Sequence, residues 1–345
     1  MWDIDINAVI VAIVLVYAAI GITVAIVWGT RKRKSSGSSR SDQGKAQIQA
    51  PTLTGDSSYL VNRHYEVKVP PHKQGGMSAI WLAVERKKGS ACIIKTPRRG
   101  TALDNVYMDK LMLEASYLKK LRHPGIVKYV DDFYYNGEFH LVIEYLHGET
   151  LAASSPRSPF NEQQVIVWAS QLLDALSYIH AAGIVHRDVN PKNIMLCSDG
   201  IVKLIDFGTA KKLHHEDKDK ASHDPFTQIA NRGFDIPELF IGGESDQRTD
   251  LCGLAQTCIH LLTLKQPNEI CMDLFKSNWP RSYSEAKLVA DYLISAGISK
   301  RMAKCLAQGI LFSPGNRFTD AHAMQAALSS ADGYLIKPAE VLSQK

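Results

Sequence analysis

Residues 186–193 read HRDVNPKN and are followed directly by the apolar run 194–196. The stretch holds one acid, two amides and three side chains that can carry positive charge. It lies between a segment with helical spacing of its apolar residues, 161–182, and an apolar run typical of a strand, 201–205. Such a turn is either a solvated loop or a place where the polar groups of a catalytic site are collected. The rest of the chain decides between these two interpretations.

Short apolar alternations and longer helical patterns surround this stretch. Strands are predicted at 65–69, 79–84, 91–95, 139–145 and 201–205. A helix is predicted at 104–121, where the apolar residues, Leu113 among them, form one broad stripe. A long amphipathic helix is predicted at 161–182, opened by a capping pair of Asn161 and Gln164. The chain therefore mixes strands and helices, with the strands concentrated before residue 150.

Polar residues recur at particular points of these elements. The loop PPHKQGGMS between the first two strands holds Gly75 and Gly76, and a glycine-bearing hairpin can bring backbone N–H groups close to phosphates. Lys95 ends the strand CIIK, where a lysine either reaches solvent at an edge or is paired inside. Glu114 lies in the predicted helix 104–121, and Asp-Phe-Gly at 206–208 follows a strand directly.

The composition is that of a folding chain. Its 345 residues are 45% hydrophobic and 22% charged, and they are numerous enough to bury a large core. The formal net charge of +5 is too modest to favour a nucleic-acid partner. The cysteines have no spacing typical of a zinc site, and we interpret them as reduced core thiols: Cys92, Cys197, Cys252, Cys258, Cys271 and Cys305.

The N-terminus departs from this average composition. Residues 8–28 carry no charge, and a helix of that length spans the ~30 Å core of a bilayer. We predict a transmembrane helix at 7–29; a buried soluble helix is the alternative. Asp3 and Asp5 precede the apolar run and no cleavage site follows it, which favours a retained anchor over a signal peptide. The basic residues 31–34 predict a single-pass protein of the cell membrane, with its N-terminus outside.

The span is followed by a change in composition. Gly21, Ala25 and Gly29 recur every four residues, a spacing that lets two membrane helices approach, so pairing of two copies is a hypothesis. Residues 30–58 are basic and then rich in Ser and Gly, as in a flexible linker. The predicted organisation is completed by a folded domain at 59–330 and a C-terminal tail at 331–345.

Between about residue 65 and residue 317 the chain resembles a eukaryotic-type (Hanks-type) protein kinase domain. The resemblance rests on one ordered set of features: the glycine-bearing loop, Lys95, Glu114, His186-Arg187-Asp188, Asn193, Asp206-Phe207-Gly208, Pro237-Glu238, Asp250 and Arg317. It implies a bilobal α+β fold with a small β-rich N-terminal lobe and a mainly helical C-terminal lobe.

The resemblance also implies ATP and Mg²⁺ as cofactors and assigns a role to each polar residue. Lys95 would hold the α- and β-phosphates, and Glu114 would hold Lys95 as an ion pair. Asn193 and Asp206 would bind Mg²⁺, a cation that prefers oxygen ligands. Asp188 would accept or orient the proton of the substrate hydroxyl.

Further roles follow from the same resemblance. Residues 144–146 would form the adenine-binding hinge, with Ile143 as its gatekeeper. The nucleotide contacts are expected from Gly75, Gly76, Ile80, Glu144, Leu146 and Met195. A stack linking the two lobes is expected from Leu118, Tyr129, His186 and Phe207, anchored by Asp250. Glu238 and Arg317 are expected to pair and brace the C-terminal lobe.

The chain departs from the family pattern at several positions, among them the first and third loop glycines, which are replaced by Lys73 and Ser78. Asn190 stands where serine/threonine kinases usually have lysine, and Asn231 stands where they have threonine. Two amides can bond to each other, so we expect Asn190 to pair with Asn231 and Lys192 to meet the γ-phosphate. Ile93 replaces the small residue that usually roofs the adenine, which tunes ATP affinity. These changes leave serine/threonine against tyrosine specificity open, and we favour serine/threonine.

The predicted function is a membrane-anchored kinase that phosphorylates cytoplasmic proteins and is itself a candidate substrate. Ser222 and Thr227, in the segment 209–236, are candidate sites of activating phosphorylation that could pair with Arg187. Two alternatives remain open. One is a pseudokinase scaffold that binds nucleotide or partners without phosphoryl transfer. The other is a small-molecule kinase of related fold.

Overall fold

An antiparallel sheet forms the first part of the protein. The computed structural model describes residues 58–68, 73–74, 78–98, 100, 103–154, 158–213 and 233–330. The strands are β1 Ser58–Val61, β2 Tyr65–Lys68, β3 Lys73–Gln74, β4 Ser78–Glu85, β5 Ser90–Pro97, β6 Tyr129–Tyr135 and β7 Glu138–Glu144. They pair in the order β1-β2-β4-β5-β7-β6, and β3 pairs with β4.

The register of β5 decides which side chains face the site. Lys95 lies opposite Ile80 of β4 and Leu141 of β7, and Ile93 lies opposite Ile143. Successive side chains of a strand point to opposite faces, so Lys95 and Ile93 share one face. Ile94, on the other face, is buried in a separate small core of the sheet. The alternation therefore sends the only lysine of β5 away from that small core.

Helix α1, Asp104–Leu118, packs against the sheet and follows β5. Its buried positions are Tyr107, Leu111, Glu114, Ala115, Tyr117 and Leu118. The prediction that Leu113 belongs to this stripe is wrong, because Leu113 is 40% exposed. Glu114 is the next residue and takes a place on the buried face, since a helix turns by ~100° per residue. The helix also ends at Leu118, three residues before the predicted end.

The second part of the protein is helical. Its helices are α2 Glu162–Ala181, α3 Pro237–Phe240, α4 Gln247–Thr263, α5 Pro267–Phe275, α6 Tyr283–Ser295, α7 Lys300–Gly309 and α8 Ala321–Ser329. Helix α2 buries one apolar face, and α4 is buried on almost all sides in the main core. Asn161 caps α2 as predicted, although its side chain accepts from the N–H of Gln163 and not from that of Gln164.

Short strands hold the HRDVNPKN stretch in place. β9, Ile184–Val185, pairs with β12, Lys211–Lys212. β8, Gly148–Thr150, and β11, Val202–Leu204, flank β10, Ile194–Cys197. Residues 186–193 therefore run from one small sheet to another and finish in a single 3₁₀ turn, Pro191–Asn193.

The described residues confirm the α+β fold with a sheet-rich first lobe and a helical second lobe. They also confirm the interpretation of the cysteines, since all six are free thiols and five of them are buried. Within the described ranges, no helix is long and apolar enough to cross a membrane. The predicted span at 7–29 lies outside those ranges.

Candidate active site

Lys95 and Glu114 form a buried ion pair. The Nζ atom of Lys95 lies 2.7 Å from Oε1 and 2.8 Å from Oε2 of Glu114. Strand β5 supplies the cation and helix α1 supplies the carboxylate, so the pair depends on the packing of α1 against the sheet. A break in this packing would separate two charges that have little access to water.

Asp206 is the second carboxylate beside this lysine. Its Oδ1 lies 3.7 Å from Nζ of Lys95 and accepts the N–H of Gly208 at 3.1 Å. Burial opposes the charge on Lys95, but the carboxylates of Asp206 and Glu114 outweigh it and raise the lysine pKa. Burial likewise opposes the charge on Asp206, but Lys95 and the Gly208 N–H lower its pKa. Burial raises the pKa of Glu114 to about 7, against the effect of Lys95.

The charges of Lys95, Glu114 and Asp206 favour the binding of a further cation. One ammonium is shared by two carboxylates, so the fully ionised cluster has an excess negative charge. The Asp206 side chain is 33% exposed and can be reached from outside. Asn193 is its neighbour, because the N–H of Ile205 donates to the Asn193 carbonyl at 3.1 Å. The donor set, one carboxylate and one amide oxygen in a negative surrounding, fits the oxygen preference of Mg²⁺.

Asp188 lies in the same loop and is held by amides. Nδ2 of Asn193 donates to its Oδ2 at 2.7 Å, and Nδ2 of Asn190 donates to its Oδ1 at 2.6 Å. The loop thus directs two uncharged donors to one carboxylate.

The backbone of the loop is anchored from below by Asp250 of α4. Its carboxylate accepts the N–H of His186 at 2.9 Å and the N–H of Arg187 at 2.7 Å. His180 of α2 contacts the same carboxylate at 2.7 Å. Arg187 has a left-handed backbone with φ of 68°, an uncommon conformation for a side-chain-bearing residue. The predicted anchor at Asp250 is therefore present, and sequence reasoning missed His180.

The predicted stack between the lobes is also present. Leu118 and Phe207 are fully buried in one core, and Tyr129 packs against that core. The rings of His186 and Phe207 meet edge to face with their centres 4.8 Å apart. The N–H of Phe207 further approaches Oε1 of Glu114 at 3.4 Å. The triplet 206–208 is thereby tied to α1.

The order of these polar groups along the chain is that of one family. The protein kinase domain family matches residues 74–328 of this sequence. The chain belongs to the protein kinase domain family.

Two curated relatives from one organism are similar to this kinase domain over part of their length. Serine/threonine-protein kinase F of Synechocystis sp. is 29% identical over 293 residues, covering 79% of this chain and 56% of the relative. Serine/threonine-protein kinase D of the same organism is 34% identical over 223 residues, covering 63% of this chain and 41% of the relative. The chain thus spans about half the length of these curated relatives.

A solved kinase structure shares the fold. The kinase domain of PknI from Mycobacterium tuberculosis is similar with a TM-score of 0.58 and 22% identity. The similarity covers 80% of this chain and 98% of that structure. This likeness bears on the fold alone.

The expected hinge of the kinase domain carries an ion pair that sequence reasoning missed. The Oε1 atom of Glu144 lies 2.7 Å from Nζ of Lys203 and accepts the N–H of Lys128 at 2.9 Å. Lys203 lies between two buried apolar residues in β11. The signal available in the sequence was a lysine between two apolar residues of a strand. Alternate side chains of a strand face opposite sides, so a lysine at this position is directed away from the core.

The other predicted nucleotide residues lie in the sheet, after β7 and in β10. Ile80 lies directly opposite Lys95. Ile93 and Leu146 are half-buried and pack against the main core, and Met195 lies in β10 opposite Thr150 of β8. The predicted residues Gly75, Gly76, Ser222, Thr227 and Asn231 lie outside the described residues.

Lys192 is exposed, and its backbone N–H donates to Oδ1 of Asn190 at 2.9 Å. It shares the 3₁₀ turn with Asn193, one of the predicted magnesium ligands. The role predicted for its ammonium at the γ-phosphate stays a prediction.

The C-terminal lobe of the kinase domain contains the predicted brace. Arg317 donates from Nη1 to Oε1 and from Nη2 to Oε2 of Glu238, both at 2.8 Å. Both side chains are buried, and Thr249 donates to the same carboxylate at 2.8 Å. A paired fork of this kind satisfies a guanidinium and a carboxylate together.

Proposed function

We propose that this chain is an ATP-dependent protein kinase that transfers the γ-phosphate to serine and threonine hydroxyls of proteins, its own chain among the candidate substrates. The observation that carries the proposal is the ion pair of Lys95 and Glu114 closed beside Asp206, with Asp188 and Asn193 on the adjoining loop. Phosphoryl transfer demands positioned charge more than covalent chemistry from the protein. This arrangement supplies positioned charge.

Each residue has a task in the proposed reaction. Lys95, held by Glu114, binds the α- and β-phosphates. Asp206 and Asn193 would hold Mg²⁺, which when bound would supply positive charge beside the phosphates. Asp188, held by the amides of Asn190 and Asn193, orients the acceptor hydroxyl and takes up its proton.

The bonds formed and broken in the proposed reaction are as follows. The oxygen of the hydroxyl forms a bond to the γ-phosphorus, and the bond from that phosphorus to the β,γ-bridging oxygen breaks. The hydroxyl proton passes to the carboxylate of Asp188, and ADP leaves. Lys192, exposed beside the magnesium ligands, is the proposed cation at the γ-phosphate.

Specificity for serine and threonine is supported by the names of the relatives. Two curated relatives from Synechocystis sp. and one from Streptomyces coelicolor, the last 32% identical over 200 residues and named as probable, are serine/threonine-protein kinases. The substitution of Asn190 and Asn231 for lysine and threonine leaves this choice for experiment.

The test is phosphate transfer by the full-length protein in detergent, with labelled ATP, Mg²⁺ and a generic protein acceptor. Acid hydrolysis of the product then identifies the phosphorylated amino acid. Phosphoserine or phosphothreonine is expected. Phosphotyrosine alone would contradict the specificity, and ATP binding with no transfer would favour the scaffold.

Membrane anchoring is a separate part of the proposal. It is supported by the uncharged residues 8–28 and the basic residues 31–34, which favour a kinase domain on the cytoplasmic side of the cell membrane. Pairing of two copies through Gly21, Ala25 and Gly29 is proposed on their spacing. Carbonate extraction tests the anchor: retention of the full chain in the membrane pellet and release of a chain lacking residues 1–30 are expected. Release of the full chain would reject the anchor.

A further inference from the structure

Asn190 stands where the family resemblance places a lysine, and its amide nitrogen and oxygen both form hydrogen bonds within the loop. The residue is only 3% exposed. Its Nδ2 donates to the carboxylate Oδ1 of Asp188 at 2.6 Å and to the Asp188 carbonyl at 3.2 Å. Both acceptors of this nitrogen therefore belong to Asp188.

The orientation of this amide follows from its neighbours. The backbone N–H of Lys192 can only donate, so the atom 2.9 Å from it must be Oδ1 of Asn190. The backbone carbonyl of Asp188 can only accept, so the atom 3.2 Å from it must be Nδ2. Exchanging the two atoms would break both bonds. One amide therefore caps the 3₁₀ turn with its oxygen and fixes Asp188 with its nitrogen.

The second carboxylate oxygen of Asp188 is fixed in the same way. Nδ2 of Asn193 donates to Oδ2 at 2.7 Å and to the Asp188 carbonyl at 3.0 Å. Each oxygen of the proposed base thus accepts from a neutral amide. Amides do not titrate and carry no charge, so these two donors add no positive charge beside the carboxylate. A lysine at 190 would place a cation at this point.

We propose that Asn190 is a positioning residue that acts through Asp188 and makes no contact with the nucleotide. This inference rests on the proposed kinase function. Both described acceptors of its Nδ2 belong to Asp188, its Oδ1 accepts the N–H of Lys192, and the residue is buried. At position 190 the family has a cation that could contact the γ-phosphate. This chain has a neutral amide there that donates to the proposed base, Asp188.

Three substitutions separate the role of the amide nitrogen, which donates to Asp188, from that of the amide oxygen, which accepts from Lys192. Asn190→Asp has nearly the same shape and keeps an oxygen for the Lys192 N–H, but it cannot donate while ionised. Asn190→Lys can donate to Asp188 but cannot accept from Lys192. Asn190→Ala does neither. Unfolding midpoints of the full-length variants, measured by heat, report whether each one folds.

The expected result is a split between kcat and nucleotide binding. Asn190→Ala and Asn190→Asp lower kcat by about 10- to 100-fold, because a misplaced catalytic group costs that much. Asn190→Lys keeps kcat at saturating ATP within about threefold of wild type, a factor worth under ~1 kcal/mol. In Asn190→Ala the dissociation constant of ATP with Mg²⁺ stays within about twofold.

The contrary results are distinct. An active Asn190→Asp with an inactive Asn190→Lys would show that capping the turn is the whole role and would overturn the proposal. A fall in ATP affinity of about tenfold in Asn190→Ala, ~1.4 kcal/mol, would make Asn190 a nucleotide contact and would also overturn it. The binding result holds whether or not the wild type transfers phosphate. A folded wild type that binds ATP and transfers nothing would instead reject the proposed function, and the positioning role with it.

Discussion

At the residue scale, the site depends on charges whose partners are close in space and far apart in the chain. Lys95 meets Glu114 across 19 positions and Asp206 across more than a hundred. Order and spacing in the sequence were enough to assign these residues to one site. They were insufficient for Asn190, because the distance from its amide to Asp188 depends on a single 3₁₀ turn. Its expected partner, Asn231, lies outside the described residues, so that pairing stays a prediction.

Replacing Lys95 by methionine tests the ion pair directly. Lys95→Met removes the cation that would hold the phosphates but keeps the length of the side chain. We expect phosphate transfer to fall at least about 100-fold, comparable to the loss of one preorganised charged donor, and ATP binding to weaken. Transfer rates and ATP titrations measure both effects.

Lys88→Met is the matched control. Lys88 lies in the turn after β4 with its side chain 71% exposed, and it pairs only with Glu85 among the described residues. Transfer by this variant should equal that of the wild type. Equal activity of Lys95→Met and Lys88→Met would remove Lys95 from the mechanism.

At the element scale, the helices and central strands follow from periodicity, and the irregular elements do not. The strands around Lys95 and the helix before the HRDVNPKN stretch lie within a few residues of their predicted positions. β6 was missed because Asp131 and Asp132 interrupt its apolar alternation, and a register irregularity falls at that point. Leu113 was misplaced because periodicity alone could not show that a charged residue, Glu114, takes the buried position beside it.

Strand β7 contains a histidine whose burial predicts a pH effect on stability. His140 stacks on Phe133 with ring centres 5.0 Å apart, and burial lowers its pKa below the usual 6.5. In the unfolded chain the imidazole takes up a proton as the pH falls below 6.5, while in the fold it does so only at a lower pH. The unfolded state therefore binds more protons, and the free energy of unfolding falls with decreasing pH.

Urea unfolding at pH 7.5 and pH 5.5 measures this effect. His140→Phe keeps an aromatic ring in the stack and removes the titration. We expect the wild type to lose more free energy of unfolding than His140→Phe over this interval. An equal loss in both proteins would show that His140 titrates alike in the folded and unfolded chains.

The pair that joins α3 to the end of the domain should dominate the stability of the helical lobe. Glu238→Gln leaves Arg317 buried without its charged partner, and we expect the free energy of unfolding to fall by about 3–5 kcal/mol. Glu85→Gln is the control, because it breaks the exposed pair with Lys88 and should cost less than about 1 kcal/mol. Similar losses in urea unfolding would mean that Arg317 finds other partners.

At the scale of the whole molecule, the site forms where the sheet-rich lobe meets the helical lobe. Lys95 belongs to the sheet and Asp206 follows β11 of the other lobe, and the pair of Glu144 with Lys203 makes a second link between the lobes. Both links involve groups next to the proposed nucleotide site. The resemblance to a protein kinase domain predicted each lobe, but it held no information on the second link.

The central claim is that Asp188 serves phosphoryl transfer, and one comparison of rates tests it. The full-length wild type, Asp188→Asn and Asp199→Asn are given labelled ATP, Mg²⁺ and the same protein acceptor. Asp199 is an exposed acid in the turn between β10 and β11, so it serves as the matched control. We predict that Asp188→Asn lowers the transfer rate by about 100- to 10,000-fold and that Asp199→Asn leaves it unchanged. Transfer by Asp188→Asn at the wild-type rate would contradict the account.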